Sequence, residues 1–119
     1  MTEKLTTRNP GPIAKKLLAL ESFKTNGALK GVAKPDWIDH GKMNVRDYEL
    51  LHTDRLLYGI DYVIYSYSTP IAWRRGDGEW AMPLADYSTT TTRHQNTIRA
   101  AIQEYKKALN SGNDAKDGE

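Results

Sequence analysis

Two short segments in the middle of the chain flank a Gly-Asp-Gly turn, and their pattern predicts a β-hairpin. The segments span residues 71–75 and 79–82, and each contains one tryptophan. A connecting loop of two or four residues would place Trp73 and Trp80 on the same face of the sheet. A loop of three residues would shift the register by one and separate them. We expect an even-length loop, and therefore a buried face that both tryptophans share.

A third strand is predicted immediately before this hairpin. Residues 61–68 are rich in tyrosine, valine and isoleucine, which suit a pleated and partly buried surface. Pro70 separates this segment from the strand that follows. Together the three segments predict a small antiparallel sheet of about three strands.

Amphipathic helices are predicted before and after the strand segments along the sequence. The first spans residues 12–24, where Pro12 suits the first helical position and Asn26-Gly27 supplies a left-handed stop. The last begins within the threonine run at 89–92 and ends near Asn110. The apolar residues of the last helix recur at helical spacing and are Ile98, Ala101, Ile102, Tyr105, Ala108 and Leu109.

The segment between the first helix and the strands is less regular. A second helix is predicted from Val45 to about Leu57, with Asn44 as its N-cap. Residues 25–43 contain several glycines and a proline, and they are predicted to form a loop. Trp37 and Ile38 are the apolar anchors of this loop, whose length is typical of a functional segment.

These elements predict one α+β domain over residues 12–111, in which the small antiparallel sheet packs against the C-terminal and N-terminal helices. Residues 1–11 are expected to be flexible. Residues 112–119 have the composition of a disordered tail.

Composition excludes several classes of protein. The 119 residues contain no cysteine, so a disulfide framework, a thiol nucleophile and cysteine zinc sites are excluded. No segment approaches the ~20 apolar residues that span a bilayer, and the N-terminus carries no apolar signal core. We therefore expect a cytoplasmic location and no membrane partner.

Three stretches of the sequence form a distinctive pattern. Residues 65–73 read YSYSTPIAW and residues 87–95 read YSTTTTRHQ, with Trp80 and Pro83 between them. The beginning of the chain reads IAKKLLAL at 13–20 and ALKGV at 28–32. These stretches resemble a group of small uncharacterised proteins from actinobacteria and their phages. The resemblance covers residues 12–100. It implies a small accessory protein, encoded by a phage or its host, and it supplies no catalytic residues.

A polar cluster near the start of the last helix is the first candidate site. A helix N-terminus with free N–H groups, hydroxyls and a cation can hold an anion, although the threonines also suffice as simple caps. Because a cation is unfavourable at a helix N-terminus, Arg93 is predicted to point toward a carboxylate such as Asp86 or into a polar pocket. His94 is predicted to be partly buried, with one ring nitrogen hydrogen-bonded. The candidate anion or ligand site consists of Ser66, Thr69, Ser88, Thr91, Arg93 and His94.

The sequence gives no sign of an enzyme or a metal centre. Ser66 or Ser88 could pair with His94, but no Gly-x-Ser-x-Gly turn is present. The acidic and histidine residues of the first half lack the spacing of known metal motifs; they are Asp36, Asp39, His40 and His52. We therefore predict no catalytic residue, no metal site and no cofactor.

Protein binding is the function that the sequence favours. Three tryptophans and seven tyrosines exceed what a core of this size needs, so some are expected on a binding surface. The candidate surface consists of Trp37, Tyr65, Tyr67, Arg74 and Arg75, and the expected partner is a host protein or a second copy.

Nucleic-acid binding is the alternative. Its candidate residues are the two arginines of that surface, Tyr62 with the same tyrosines, and the N-terminal lysines Lys15, Lys16, Lys24, Lys30 and Lys34. Against it, residues 43–112 carry eight cationic and eight acidic side chains.

The composition of the tail leads to a first prediction. Residues 113–119 hold no apolar side chain larger than alanine, so their deletion should leave the melting temperature unchanged within error. Thermal unfolding followed by circular dichroism checks this. A drop of several degrees would show that the tail packs on the domain.

Overall fold

The computed structural model describes residues 4–83 and 89–117, in which three helices pack on a six-stranded mixed sheet. The helices are α1 (Pro10–Ala19), α2 (Val45–Tyr58) and α3 (Thr89–Asp117). The strands are β1 (Lys4–Leu5), β2 (Phe23–Thr25), β3 (Leu29–Ala33), β4 (Ile60–Ser66), β5 (Thr69–Arg75) and β6 (Trp80–Ala81). The α+β class is therefore confirmed.

The sheet is larger than the three antiparallel strands that the sequence predicts. Its spatial order follows the chain from β1 to β6; β1 and β2 are parallel, and every later pair is antiparallel. Strands β2 and β3 lie in or beside the segment predicted as a loop, and β1 lies in the segment predicted as flexible. These strands are short and carry lysines on one face, so they lack the apolar density of β4 and β5.

Helix α1 ends earlier than its apolar pattern indicates. Leu20 adopts a left-handed conformation with φ of 52°, and its N–H donates to the Leu17 carbonyl at 3.2 Å. This closes the helix at Ala19, so that Phe23 belongs to β2 and not to the helix. At the other end, the Asn9 side chain accepts from the N–H of Gly11 and caps α1.

Helices α1 and α3 cover one face of the sheet and enclose the larger core. Phe23 and Tyr62 meet there above Gly31, where an added Cβ would lie only 2.3 Å from the Phe23 ring. The Tyr62 hydroxyl donates to the Glu21 carbonyl at 2.5 Å, which ties the end of α1 to the centre of the sheet. The buried residues of this core include Leu5, Ile13, Leu17, Phe23, Leu29, Tyr62, Ile64, Ile71, Ile98, Ala101 and Tyr105.

The opposite face is covered more sparsely, by α2 and the segment that precedes it. Trp73 is fully buried there, and its indole N–H donates to Asp54 Oδ2 at 2.9 Å. The second core consists of Ile38, Leu51, Val63, Tyr65 and Trp73.

The prediction that Trp73 and Trp80 share a buried face is wrong. The Gly78 N–H donates to the Arg75 carbonyl, and the Arg75 N–H donates to the Glu79 carbonyl, so three residues form the loop. Gly78 has a φ of 92°, which a glycine adopts without strain at the end of such a turn. The register therefore pairs Arg74 with Trp80, and the two tryptophans lie in different cores.

Helix α3 continues to Asp117, beyond the predicted end near Asn110. Gly112 lies within it, at a cost of about 1 kcal/mol relative to alanine. A single glycine therefore does not end a helix that has no competing cap.

The separation of the tryptophans predicts unequal costs on truncation. Trp73→Ala should lower the free energy of unfolding by about 3–5 kcal/mol, because it empties a fully enclosed site. Trp80→Ala should cost less, since Trp80 is only half-buried. Chemical denaturation of both variants measures the difference, and a larger cost for Trp80→Ala would contradict the assignment of the two cores.

Candidate functional site

A serine and a histidine meet where β4 ends and α3 begins. Ser66 Oγ lies 2.7 Å from His94 Nδ1, and both side chains are buried. His94 faces inward because it precedes Ile98 by about one helical turn, on the apolar stripe of α3. The structure thus shows the burial and the hydrogen-bonded ring nitrogen predicted for His94.

Burial lowers the pKa of His94 below its ordinary value of 6.5. The ring is therefore held neutral near pH 7, so Nδ1 can accept a hydrogen bond from the Ser66 hydroxyl. A nucleophilic serine must be reached by a substrate, but Ser66 is only 1 % exposed. The geometry gives the pair a structural role in joining α3 to the sheet.

Thr69, another residue of the predicted anion site, lies directly opposite Ser66 where β4 and β5 pair, but its hydroxyl is engaged with a different segment. Thr69 Oγ1 accepts from the N–H of Lys42 at 2.8 Å, so this hydroxyl holds the preceding loop. Arg93 is exposed, and no described residue pairs with its guanidinium. Ser88, Asp86 and the side chain of Thr91 lie outside the described residues. An anion site at this helix end stays a prediction.

Two of the five residues of the predicted interaction surface lie together. Trp37 and Tyr65 line a groove of about 210 Å³, which also includes Lys30, Val32, Asp39 and Ser68. Trp37 is 69 % exposed, whereas Tyr65 is buried and its hydroxyl accepts from the Asp39 N–H at 3.2 Å. Trp37 therefore supplies the free aromatic surface here.

Tyr67 lies at the tip of the β4–β5 hairpin and is 60 % exposed. Its φ of 62° belongs to the left-handed region, which a bulky side chain adopts only under strain. Its ring centroid lies 6.3 Å from that of His94, on the side of the sheet that α3 covers. Tyr67 is thus turned toward α3.

The two arginines of the predicted surface lie at the other end of β5. Arg74 pairs with Asp61 and lies close to the Tyr105 hydroxyl. Arg75 pairs with Asp77 and lies 3.7 Å above the centroid of the Tyr58 ring. Both guanidinium groups are therefore engaged within the chain. They lie at the end of β5 that is opposite to Thr69.

Sequence reasoning missed the outer face of α2. Asp47 and Asp54 of this helix are buried, while four of its aliphatic side chains point to solvent. The fractional exposures are 72 % for Val45, 42 % for Leu50, 73 % for Leu56 and 68 % for Leu57. Apolar residues occur around most of the helix, so periodicity alone could not indicate which side faces the sheet.

The described residues form no cluster typical of a metal site and no helix typical of a membrane span. Across residues 4–83 and 89–117, no three histidine or acidic side chains lie together in a way that could hold a metal ion. None of the helices in these ranges combines the length and apolar composition needed to cross a bilayer.

Comparison with known proteins places the chain in a family. Residues 14–114 match the model of a family of unknown function, DUF8033, and the chain belongs to this family. No curated protein and no solved structure matches the chain.

The buried histidine predicts acid sensitivity. Its lowered pKa means that the unfolded state binds the proton more strongly, so stability is complete above the unfolded value and falls as the pH drops below 6.5. Denaturation between about pH 7.5 and about pH 5.5 should show this loss. His94→Gln should flatten the dependence, while the exposed His52→Gln should not; equal slopes in all three proteins would contradict the assignment.

Proposed function

We propose that this chain acts by binding another protein through the outer face of α2. The α2 face consists of Val45, Leu50, Leu56 and Leu57, and the observation that carries the proposal is their exposure beside two buried aspartates. A helix that contacts only the sheet of its own chain normally buries its aliphatic side chains and exposes its carboxylates. Complete burial of a fully exposed valine or leucine contributes about 1.5–3 kcal/mol. These four side chains are between 42 % and 73 % exposed, so a partner that covers them gains roughly half of that for each residue.

The contacts of α2 hold this orientation in place. Asp54 accepts the hydrogen bond from the Trp73 indole, and Leu51 inserts beside it into the smaller core. Asn44 caps the helix by accepting from the Asp47 N–H at 2.8 Å. A rotation that buried the leucines would break the bond to Trp73 and leave a buried indole N–H unpaired, which costs about 1–3 kcal/mol.

The spacing of the exposed residues fits a groove on the partner. Leu50 and Leu57 are separated by about two helical turns, and Val45 and Leu56 by about three, so each pair forms a stripe along the helix. An amphipathic helix laid into an apolar groove uses anchors at this spacing. Arg46 is exposed and precedes Leu50 by about one turn, on the same side. Glu49 is also exposed, about one turn after Val45. The edge of the partner's groove is therefore expected to carry an acidic group opposite Arg46 and a basic group opposite Glu49.

The resemblance to actinobacterial and phage proteins supports an accessory role in such a cell, with a host protein as the partner. An actinobacterial lysate is therefore the source from which the partner should be captured. Hydrophobic association through the α2 face should persist at high salt, since only surface charge pairs are screened there.

The test combines capture with two matched variants. The first variant, Leu50→Glu/Leu57→Glu, disrupts the α2 face. The control, Leu18→Glu/Leu109→Glu, introduces the same two charges at exposed leucines of α1 and α3. We expect the wild type and the control to retain the same protein at high salt, and the α2 variant to lose it. The captured protein is then purified and titrated directly by calorimetry, with the loss in affinity expected to exceed tenfold.

Other outcomes would overturn the proposal. A photo-crosslinking residue in place of Leu57 should join the chain to the captured protein. Crosslinking only to a second copy of the chain, with a dimeric mass in analytical ultracentrifugation, would make the α2 face a self-association surface. Equal losses in both double variants would show that the α2 face is not the binding site.

A further inference from the structure

A row of three lysines crosses the outer half of the sheet. Lys4 of β1 lies opposite Lys24 of β2, and Lys24 lies opposite Lys30 of β3. All three are exposed, because the alternation of each strand directs their neighbours Leu5, Phe23 and Leu29 into the larger core. We call this row the lysine face; it lies on the same side of the sheet as α2, beyond the part that α2 covers.

The lysine face is unfavourable for the isolated chain. Like charges directly opposite on neighbouring strands repel, since their Cβ atoms are about 4.5–5.5 Å apart. Among the described residues, no carboxylate forms an ion pair with Lys4, Lys24 or Lys30. An anion with closely repeated charges would remove this repulsion, whereas a single carboxylate would relieve only part of it.

The row ends in the groove beside Trp37. Lys30 lies at the junction, with its Nζ 5.4 Å from the centroid of the Tyr65 ring. The indole of Trp37 is 69 % exposed, and at about 210 Å³ the groove has room for a planar ring against it. A cationic row that leads to a free aromatic surface is the arrangement that binds a phosphate backbone together with an unpaired base.

The groove is held in shape before any ligand binds. The N–H groups of Asp39 and Lys42 donate to Tyr65 and Thr69, which fixes the loop against the β4–β5 hairpin. Gly41 packs so closely that an added Cβ would lie 2.4 Å from the Ser68 carbonyl oxygen. A fixed groove avoids the entropy cost of ordering a loop on binding.

We infer that the lysine face and Trp37 bind single-stranded nucleic acid. The three ammonium groups contact successive phosphates, and one base stacks on the exposed indole. Duplex DNA does not fit this site, because its bases are stacked on one another and cannot reach the groove. An acidic peptide would satisfy the lysines but would leave the indole unused. This site is separate from the α2 face and does not depend on the protein-binding proposal.

The experiment measures the anisotropy of labelled oligothymidine and oligouridine of about ten nucleotides at low salt. Lys24→Glu/Lys30→Glu should weaken binding at least tenfold. The matched control is Lys106→Glu/Lys107→Glu, which makes the same charge change on α3, across the sheet, and should stay within twofold. Oligothymidine and oligouridine distinguish DNA from RNA as the source of the same chemistry.

Trp37 and the salt dependence give two further readouts. Trp37→Ala should weaken binding severalfold, and Trp37→Phe should restore part of the loss because it keeps an aromatic face. Each phosphate contact contributes about 0.7 to the slope of log affinity against log salt for a single strand. Lys24→Gln/Lys30→Gln, a milder variant that avoids new acidic groups, should therefore reduce that slope by about 1.4.

Several results would overturn the inference. These are the absence of binding at low salt, equal losses in the two glutamate variants, and a Trp37→Ala variant with unchanged affinity. A labelled polyglutamate peptide that binds as tightly through the same lysines would assign the lysine face to an acidic protein instead. The Leu50→Glu/Leu57→Glu variant adds two acidic groups outside this site, so its affinity for the oligonucleotides should fall by less than twofold.

Discussion

The hydrogen bond between the Trp73 indole and Asp54 determines how the thinly covered side of the sheet is built. Trp73 lies at the centre of that side, and a buried indole N–H requires an acceptor. The acceptor comes from α2, so the helix must direct its aspartates inward. Because Asp47, Leu51 and Asp54 occupy the side of α2 that faces the sheet, the four aliphatic side chains of the α2 face are left in solvent.

This constraint connects the fold to its proposed functions. The face under α1 and α3 is closed by a continuous apolar core, and it anchors α3 further through Ser66 and His94. The other face is covered only in part, and its two open regions differ in chemistry. One is the apolar α2 face and the other is the lysine face beside Trp37. The two proposed binding surfaces therefore lie on one side of the sheet, while the opposite side supplies the larger core.

The sequence predicted those parts of the fold in which periodicity and local signals agree. The three helices, the strands β4 and β5 and the burial of His94 follow from apolar spacing, from Asn44 as a cap and from the segment rich in tyrosine, valine and isoleucine before Pro70. Strands β1 to β3 were missed because alternating lysines leave them too few apolar residues. The first helix was predicted to continue through Phe23, but it ends before Leu20. The left-handed conformation of Leu20 is not indicated by the residue types around it.

The candidate sites were predicted less well, because they depend on distant contacts. A loop longer or shorter by one residue moves Trp80 to the other face, and the sequence around Asp77 suits several loop lengths. The tight packing of Tyr65 and the pairing of Arg74 with Asp61 removed these side chains from the expected surface. The α2 face depends on the partner of Asp54, which lies on a strand far along the chain.

The most direct test of this account uses the absence of cysteine from the chain. Single Leu57→Cys and Leu51→Cys variants would each carry one thiol, at an exposed and at a buried position of α2 respectively. Reaction with a thiol reagent in native buffer should be nearly as fast for Leu57→Cys as for the unfolded protein, and much slower for Leu51→Cys. Fast reaction of Leu51→Cys together with protection of Leu57→Cys would show that the leucines face the sheet, and would contradict the central claim.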